Sequence, residues 1–213
     1  QQLRSMTAPA DNRALYEAGP FCMAYEMKCG GMEKVAAVVQ MYRQVQHQPD
    51  GWRLMALVDA IGSCREELYE HYRALVDIFR ESIAGVLRYQ AEDGLFFQVI
   101  DHPEAEGKYT ETSGSAMIAY ALLKGVRLGI LDPEKYLPIG KRVFESLVEN
   151  KLKPEAGGVV RLTDICWVAG LGPEKNPNRD GSVAYYLSEP KKSDDSKGVG
   201  PFIMAYSEYL QAE

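Results

Sequence analysis

The sequence lacks the paired cysteines and histidines that a zinc site requires. Its four cysteines form no C-x-x-C pair, and its three histidines, His47, His71 and His102, lie far apart along the chain. Zinc sites bring such ligands together at short and regular spacings. We therefore predict no metal site, and no motif in the chain predicts a cofactor. Four unpatterned cysteines are typical of buried, reduced thiols in a reducing compartment.

The sequence also lacks an excess of positive charge and a long apolar run. Its 30 acidic residues outnumber its 24 basic ones, which gives a net charge of −6. Nucleic acids and anionic membranes attract basic surfaces, so neither is predicted as a partner. No stretch is apolar over the length needed to cross a bilayer. We predict a cytoplasmic protein; because residue 1 is Gln rather than Met, a periplasmic or secreted location is the alternative if a leader was removed.

Helical periodicity dominates what is present. The clearest predicted helix covers 65–91, and the preceding Ser63-Cys-Arg-Glu66 has the form of a capping box. A second helix covers 134–150, with Asp132 as its N-cap and Pro133 at its first position. The pattern indicates further helices at 13–28, 33–46, 52–61, 114–128 and 201–211. It indicates short strands at 95–100, 159–162 and 183–187. We therefore predict an all-α protein with short β-ribbons in its loops.

Two segments of the chain resemble each other in order and spacing. The matching elements are Asp93-Gly94 and Asp180-Gly181, Gly114 and Gly200, and Ala119-Tyr120 and Ala205-Tyr206. Such self-similarity predicts stacked units that bury apolar faces against one another. Small residues at the starts of the two helices would let these helices crowd around the axis of a ring. The loops at one end of that ring would then meet a ligand.

Several motifs follow one another in an order that indicates a family. They are Asp93-Gly-Leu-Phe-Phe-Gln-Val-Ile-Asp101, Tyr109-Thr-Glu-Thr-Ser-Gly-Ser-Ala-Met117, Arg179-Asp-Gly-Ser182, Tyr185-Tyr-Leu-Ser-Glu189 and Asp195-Ser-Lys-Gly-Val-Gly200. Together they resemble glycoside hydrolase family 105, the unsaturated rhamnogalacturonyl hydrolases. The resemblance is strong over 51–210 and weaker over 1–46. We interpret the whole chain, 1–213, as one domain of this type.

The resemblance implies an (α/α)6 barrel, a toroid of six helical hairpins with a sugar-binding cleft at one end. It implies a glycoside hydrolase that removes a 4,5-unsaturated uronic acid from the non-reducing end of pectin-derived rhamnogalacturonan oligosaccharides. It also implies a single Asp that protonates the double bond and activates the attacking water, unlike the usual pair of carboxylates. An oligosaccharide is thus the expected partner, no cofactor is expected, and a homo-oligomer is left open.

One part of the family pattern is missing from this sequence. The catalytic Asp of the family lies in a His-Gly-x-Asp stretch, and no such stretch occurs here. The predicted helices number about seven, whereas six hairpins need two helices each. We therefore expect an incomplete toroid. The alternative function is a truncated, non-catalytic sugar-binding or scaffold relative, and a different α/α-toroid enzyme is a third hypothesis that the loop motifs disfavour.

The catalytic residue is left unknown by the sequence. Asp50 is a candidate acid, although Pro-Asp-Gly is also an ordinary turn and N-cap sequence. Six residues are candidates for substrate binding: Trp52, Gln98, Tyr109, Glu111, Arg179 and Lys197. Aromatic faces suit the C–H surfaces of sugars, and cations near helix starts suit a uronate carboxylate.

Several of these candidates also have a structural alternative. Trp52 is equally consistent with a core position at a helix start, and Glu111 with a helix cap. Gln98 is also consistent with a solvated side chain, and Arg179 with a pair with Asp180 that stabilises a turn. Four charged residues nearby are interpreted as a solvated loop: Lys191, Lys192, Asp194 and Asp195.

Overall fold

A computed structural model describes residues 12–28, 32, 35–44, 51–64, 68–168 and 180–212. In these ranges the α-helices are α1 (Asn12–Lys28), α2 (Val35–Gln44), α3 (Gly51–Ser63), α4 (Tyr69–Val86), α5 (Thr112–Arg127), α6 (Pro133–Lys151), α7 (Val183–Ser188) and α8 (Ser196–Gln211). Short 3₁₀ turns cover Leu87–Tyr89 and Ala156–Gly158. Two antiparallel ribbons pair β1 (Leu152–Pro154) with β2 (Val160–Leu162), and β3 (Ile165–Cys166) with β4 (Lys191–Lys192).

Helices α3 and α5 pack side by side and run in the same direction. A Cβ placed on Gly51, at the start of α3, would lie 2.7 Å from Met117 Cβ and 3.2 Å from the Gly114 carbonyl oxygen, both in the first turns of α5. Two turns further along α3, Asp59 accepts a 2.6 Å hydrogen bond from the hydroxyl of Tyr120, which lies after Met117 in α5. The N-terminal ends of both helices therefore lie at the same end of the molecule.

Helices α5 and α8 are arranged in the same way. Arg127 and Glu208 form an ion pair near the C-terminal ends of the two helices. At the opposite end, strand β3 and the residue before it contact the start of α5 through Thr112 and the start of α8 through Gly198. Helix α1 packs against the other side of α3. A row of inner helices, α1, α3, α5 and α8, results.

Helices α2, α4 and α6 connect successive members of this row and pack along one side of it. Inner helices are enclosed from more than one side, so α3 and α5 carry almost continuous buried stretches at 53–58 and 115–123. Helix α4 instead buries a single stripe at helical spacing, which includes Leu75, Phe79 and Ile83. Within the described ranges the row does not close on itself. The predicted all-α, incomplete toroid is therefore confirmed.

The two outer members of the row leave apolar side chains exposed. They are Phe21 and Tyr25 on α1, and Ile203, Tyr206 and Leu210 on α8. Neither helix has an inner neighbour beyond it among the described residues, whereas α3 and α5 are flanked on both sides. The exposed side chains thus mark the two open edges of the row.

The helix ends confirm one sequence prediction and correct another. Asp132 is the N-cap of α6, its side chain accepts a 3.0 Å hydrogen bond from the Glu134 amide, and Pro133 occupies the first helical position. The predicted capping box at Ser63 is wrong. Ser63 lies in the last turn of α3, and α4 begins at Tyr69 after Leu68, which makes no side-chain cap.

The predicted strands are only partly correct. The stretch at 159–162 forms β2, but 95–100 contributes a single bridge between Phe97 and Thr110. The stretch at 183–187 is the helix α7, so its prediction as a strand is wrong. Ser182 caps that helix by accepting a 3.1 Å hydrogen bond from the Tyr185 amide. The cap gives an amide in the first turn its hydrogen-bond acceptor, and this outweighs the strand preference of the Val and Tyr side chains.

The internal repeat is visible in the local structure of both Asp-Gly turns. The Asp93 carboxylate accepts a 3.0 Å hydrogen bond from the Leu95 amide, and the Asp180 carboxylate accepts a 2.9 Å bond from the Ser182 amide. The glycine in each turn has a positive φ, 88° at Gly94 and 80° at Gly181, which other residues rarely adopt. The two turns share one structure, although the segments that follow them differ.

Only the first glycine of the Gly-Val-Gly sequence in α8 is required by close packing. A Cβ on Gly198 would lie 2.5 Å from Cδ1 of Ile165, a fully buried side chain, whereas a Cβ on Gly200 would meet no atom within 4 Å. We expect Gly198→Ala to lower the free energy of unfolding by about 1–3 kcal/mol through overpacking. Gly200→Ala is the matched control and should raise it by about 0.5–1 kcal/mol. Urea denaturation measures both, and equal effects would contradict this assignment.

Candidate functional site

Glu111 joins the start of α5 to strand β3. It is the N-cap of α5, and its carboxylate accepts hydrogen bonds from the Gly114 amide at 2.6 Å and the Ser113 hydroxyl at 2.8 Å. The same carboxylate accepts a 2.9 Å bond from the Cys166 amide. The side chain is almost fully buried. Glu111 therefore acts as a helix cap and as the link that fixes the ribbon β3–β4 against α5.

Cys166 brings two of the predicted binding residues together. Gln98 Nε2 donates a 3.2 Å hydrogen bond to Cys166 Sγ, and the Gln98 amide donates a 3.0 Å bond to the Tyr109 carbonyl. Burial raises the pKa of the Cys166 thiol. A protonated, buried thiol is a poor nucleophile, so Cys166 contributes packing and a hydrogen-bond acceptor.

Tyr109 lies beneath a lysine of strand β4. The Lys191 ammonium is 5.0 Å from the centre of the Tyr109 ring. The tyrosine hydroxyl is buried beside the Cys166 thiol, and no described residue gives it a hydrogen bond of good geometry. Burial, followed by the influence of Cys166 and Glu111, raises the pKa of the phenol above its usual range. Tyr109 is thus a neutral aromatic group at physiological pH.

An aspartate with a left-handed backbone holds two lysines at the ribbon. Asp164 has φ 56°, and its carboxylate lies 3.0 Å from both Lys151 Nζ and Lys191 Nζ. Lys151 is buried, and its ammonium also donates a 2.7 Å hydrogen bond to the Thr110 carbonyl. Burial of Asp164 opposes ionisation, but the hydrogen bonds from the two lysines outweigh it and lower the pKa of the carboxyl.

The start of α8 carries Lys197 and holds the backbone of Trp167. Asp195 is the N-cap of α8 and accepts from the Lys197 amide at 3.0 Å and the Lys197 ammonium at 3.1 Å. The same ammonium donates a hydrogen bond to the Trp167 carbonyl. The Trp167 side chain is exposed, and the Lys192 ammonium lies 4.8 Å from the centre of its ring. A lysine therefore lies over an aromatic ring on each side of the ribbon.

The structure places four of the six predicted binding residues around β3. Gln98, Tyr109 and Glu111 contact Cys166 or its immediate neighbours, and Lys197 contacts the following residue. Trp52 is the second residue of α3, half-buried against the core at the end of the molecule where α5 also begins. Two candidates, Asp50 and Arg179, lie outside the described residues.

The sequence reasoning missed Cys166 and Trp167 and interpreted Lys191 and Lys192 as a solvated loop. Both lysines are exposed, but each lies over an aromatic ring contributed by another segment. Such pairs join residues that are distant in sequence, so no local pattern reveals them. The usable signal was Trp167 itself, one of only two tryptophans in the chain.

Three aspartates at the ribbon have pKa values below the usual range. Hydrogen bonds from Arg161 and the Leu162 amide lower the pKa of Asp194, and the Lys197 amide does the same for Asp195. The pKa of Asp164 is lowered as well. A general acid needs a raised pKa to carry a proton near neutral pH. These three aspartates therefore favour the ionised form, in which they hold backbone amides, an arginine and lysines in place.

No group of three or more His, Cys, Asp or Glu side chains among the described residues is placed to hold a metal ion. No described helix is both long and apolar enough to span a membrane.

Comparison with known proteins identifies relatives at several distances. Protein Atu3128 of Agrobacterium fabrum is 46% identical over 168 residues, which is 75% of this chain and 69% of that protein. A solved structure, the C. acetobutylicum ATCC 824 glycoside hydrolase from family 105, has a TM-score of 0.84 and 31% identity. An unsaturated 3S-rhamnoglycuronyl hydrolase of Formosa agariphila is 29% identical over 164 residues.

Each of these alignments covers a larger share of this chain than of the relative. The alignment with the C. acetobutylicum structure covers 94% of this chain but 64% of that one, and the F. agariphila alignment covers 77% and 38%. The model of the family described as Glycosyl Hydrolase Family 88 matches residues 48–213. The chain therefore belongs to glycosyl hydrolase family 88, and its likeness to a solved family 105 structure confirms the resemblance that the loop motifs predicted.

Proposed function

We propose that this protein is a glycoside hydrolase that removes a 4,5-unsaturated uronic acid from the non-reducing end of pectin-derived oligosaccharides. The observation that carries the proposal is the clustering of Gln98, Tyr109, Glu111 and Lys197 around one ribbon, where the inner helices begin. Loops at one end of a helical ring are where a ligand is expected. The F. agariphila relative, an unsaturated rhamnoglycuronyl hydrolase by name, supports this substrate class.

The chemistry of the cluster suits an acidic sugar. The Lys191 ammonium lies 5.0 Å from the centre of the Tyr109 ring, and the Lys197 ammonium, at the start of α8, contacts the Trp167 carbonyl. Lysines attract a uronate carboxylate, while aromatic faces contact the C–H side of a sugar ring. Glu111 positions the ribbon through its bond to the Cys166 amide. In this proposal the described residues bind and orient the substrate.

The proton donor is proposed to lie outside this cluster. The aspartates at the ribbon have lowered pKa values and remain ionised. Hydration of a C4=C5 double bond needs a protonated acid beside the substrate. Asp50 remains the candidate, because it directly precedes Gly51 and Trp52 at the start of α3.

A second candidate function is sugar binding without turnover. The sequence contains no His-Gly-x-Asp stretch, and the three aspartates at the ribbon are held ionised. A protein with this binding surface and no acid of raised pKa would retain the ligand without cleaving it.

One assay distinguishes the two functions. The unsaturated uronate absorbs ultraviolet light, and hydration of its double bond abolishes that absorbance. We expect the absorbance to decay with purified protein, and Asp50→Asn to slow the decay at least 100-fold if Asp50 is the acid. Constant absorbance with binding by calorimetry would support the non-catalytic function. Constant absorbance without binding would contradict both.

A further inference from the structure

We propose that Trp167 and Lys192 form a platform for a second, carboxylate-bearing sugar of an acidic oligosaccharide. This inference rests on the proposed substrate class but not on turnover, since a platform can bind without catalysis. We call these two residues the Trp167–Lys192 platform. It extends the candidate site from the cluster around Cys166 to the outer part of the ribbon.

The backbone of Trp167 is fixed while its ring remains open to solvent. Its amide donates a 2.9 Å hydrogen bond to the Pro190 carbonyl, and its carbonyl accepts a hydrogen bond from the Lys197 ammonium. The side chain is nevertheless 46% exposed. An exposed indole on a fixed backbone can contact a ligand without ordering of the main chain, which lowers the cost in conformational entropy.

Lys192 provides a positive charge over one face of the Trp167 indole. Its ammonium lies 4.8 Å from the centre of the Trp167 ring. The two neighbouring lysines are each within 3.1 Å of an aspartate, Lys191 with Asp164 and Lys197 with Asp195. Among the described residues no carboxylate oxygen lies within 4 Å of Lys192, although its charge still lowers the pKa of Asp195 at longer range. Its charge is therefore the least neutralised of the three.

The platform is separate from the cluster around Cys166. Successive side chains of an extended segment project to opposite faces, and the Cys166 side chain is buried toward Gln98 while Trp167 is exposed. The two lysines of strand β4 are separated in the same way, because Lys191 lies over Tyr109 and Lys192 lies over Trp167. One monosaccharide cannot occupy both faces, so the platform fits a sugar beyond the terminal one.

The chemistry of the platform selects an acidic sugar. An indole face contacts the C–H surface of a pyranose, and an ammonium beside it attracts a carboxylate on the same ring. A neutral sugar would use only the indole. We therefore expect the affinity for an oligosaccharide to rise when it contains a second uronate within reach of the ribbon.

The two tryptophans of the chain, Trp52 and Trp167, make a direct test feasible. Trp52→Phe leaves Trp167 as the single indole reporter, and Trp167→Phe leaves Trp52. The probes are an unsaturated uronyl-rhamnose disaccharide and the tetrasaccharide that adds one galacturonate and one rhamnose. We expect saturable quenching of Trp167 emission by the tetrasaccharide and little by the disaccharide. Equal quenching by both probes, or none, would overturn the proposal.

Affinities of platform variants give a second, independent readout. Calorimetry should show the tetrasaccharide binding about tenfold more tightly than the disaccharide to the wild-type protein. Trp167→Ala should abolish that difference, and Lys192→Gln should reduce it about threefold, with disaccharide affinity unchanged in both. An unchanged melting temperature is the folding control for each variant. A preserved tenfold difference in both variants would refute the platform.

The outcomes separate this inference from the proposed hydrolysis. Quenching without loss of ultraviolet absorbance would leave the platform standing and contradict the hydrolase. Loss of absorbance with no effect of Trp167 or Lys192 substitution on tetrasaccharide affinity would support the hydrolase and remove the platform.

Discussion

Replacing Glu111 by alanine is expected to lower the free energy of unfolding by about 2–4 kcal/mol. The change removes the N-cap of α5, which alone is worth about 0.5–2 kcal/mol. It also leaves the buried Cys166 amide without its 2.9 Å acceptor, at a cost of about 1–3 kcal/mol. Urea denaturation followed by circular dichroism measures the loss.

Glu111→Gln is the matched control for this prediction. An amide oxygen can still accept from the Cys166 amide or from the Gly114 amide. It loses the charge that favours a helix N-terminus, worth about 0.3–1 kcal/mol. We therefore expect less than half of the alanine effect. A Glu111→Ala protein that keeps its stability but loses sugar binding would show that Glu111 is a ligand contact and not a structural link.

Replacing Arg127 by methionine is expected to lower the free energy of unfolding by about 2–4 kcal/mol. The Arg127 guanidinium makes two hydrogen bonds to Glu208, at 2.6 and 2.8 Å, and joins α5 to α8. The Glu208 side chain is only 7% exposed. Methionine keeps the apolar stem but leaves a buried carboxylate without its counterion. Chemical denaturation at neutral pH measures the change.

Two further variants test the reason for this effect. The double variant Arg127→Met with Glu208→Met should recover most of the stability, because it also removes the buried carboxylate that Arg127→Met leaves without a counterion. Arg73→Met breaks an exposed pair with Asp77 at 3.9 Å, and should cost less than about 1 kcal/mol. If Arg73→Met and Arg127→Met had equal effects, burial of Glu208 would not be the cause.

The helices that were predicted most accurately carry strong local signals. Helix α6 combines an Asp132 cap, Pro133 at its first position and apolar residues at helical spacing, and it begins where predicted. The stretch at 183–187 shows the limit of such signals. Val183 and Tyr185 favour strands, but the segment is a helix that Ser182 caps through the Tyr185 amide. Local preferences of under about 1 kcal/mol are easily overridden in this way.

The candidate site could be predicted only in part for the same reason. The motifs marked Gln98, Tyr109, Glu111 and Lys197, and the structure brings them together. Nothing local indicated that Lys191 and Lys192 would each lie over an aromatic ring. Those pairs depend on how β4 is aligned with β3, which is a long-range pairing.

The amino-acid sequence by itself determined the helical class, the order of the helices other than α7, the two Asp-Gly turns and the family. These follow from periodicity, caps and short motifs, all of which act over a few residues. Only the tertiary structure decided that Glu111 is a cap tied to Cys166, and that Gly198 but not Gly200 is required by packing. It also decided that the backbone of Trp167 is fixed by a hydrogen bond while its side chain is exposed. Each depends on a contact between residues distant in the chain, and such contacts are set by the packing of the whole row of helices.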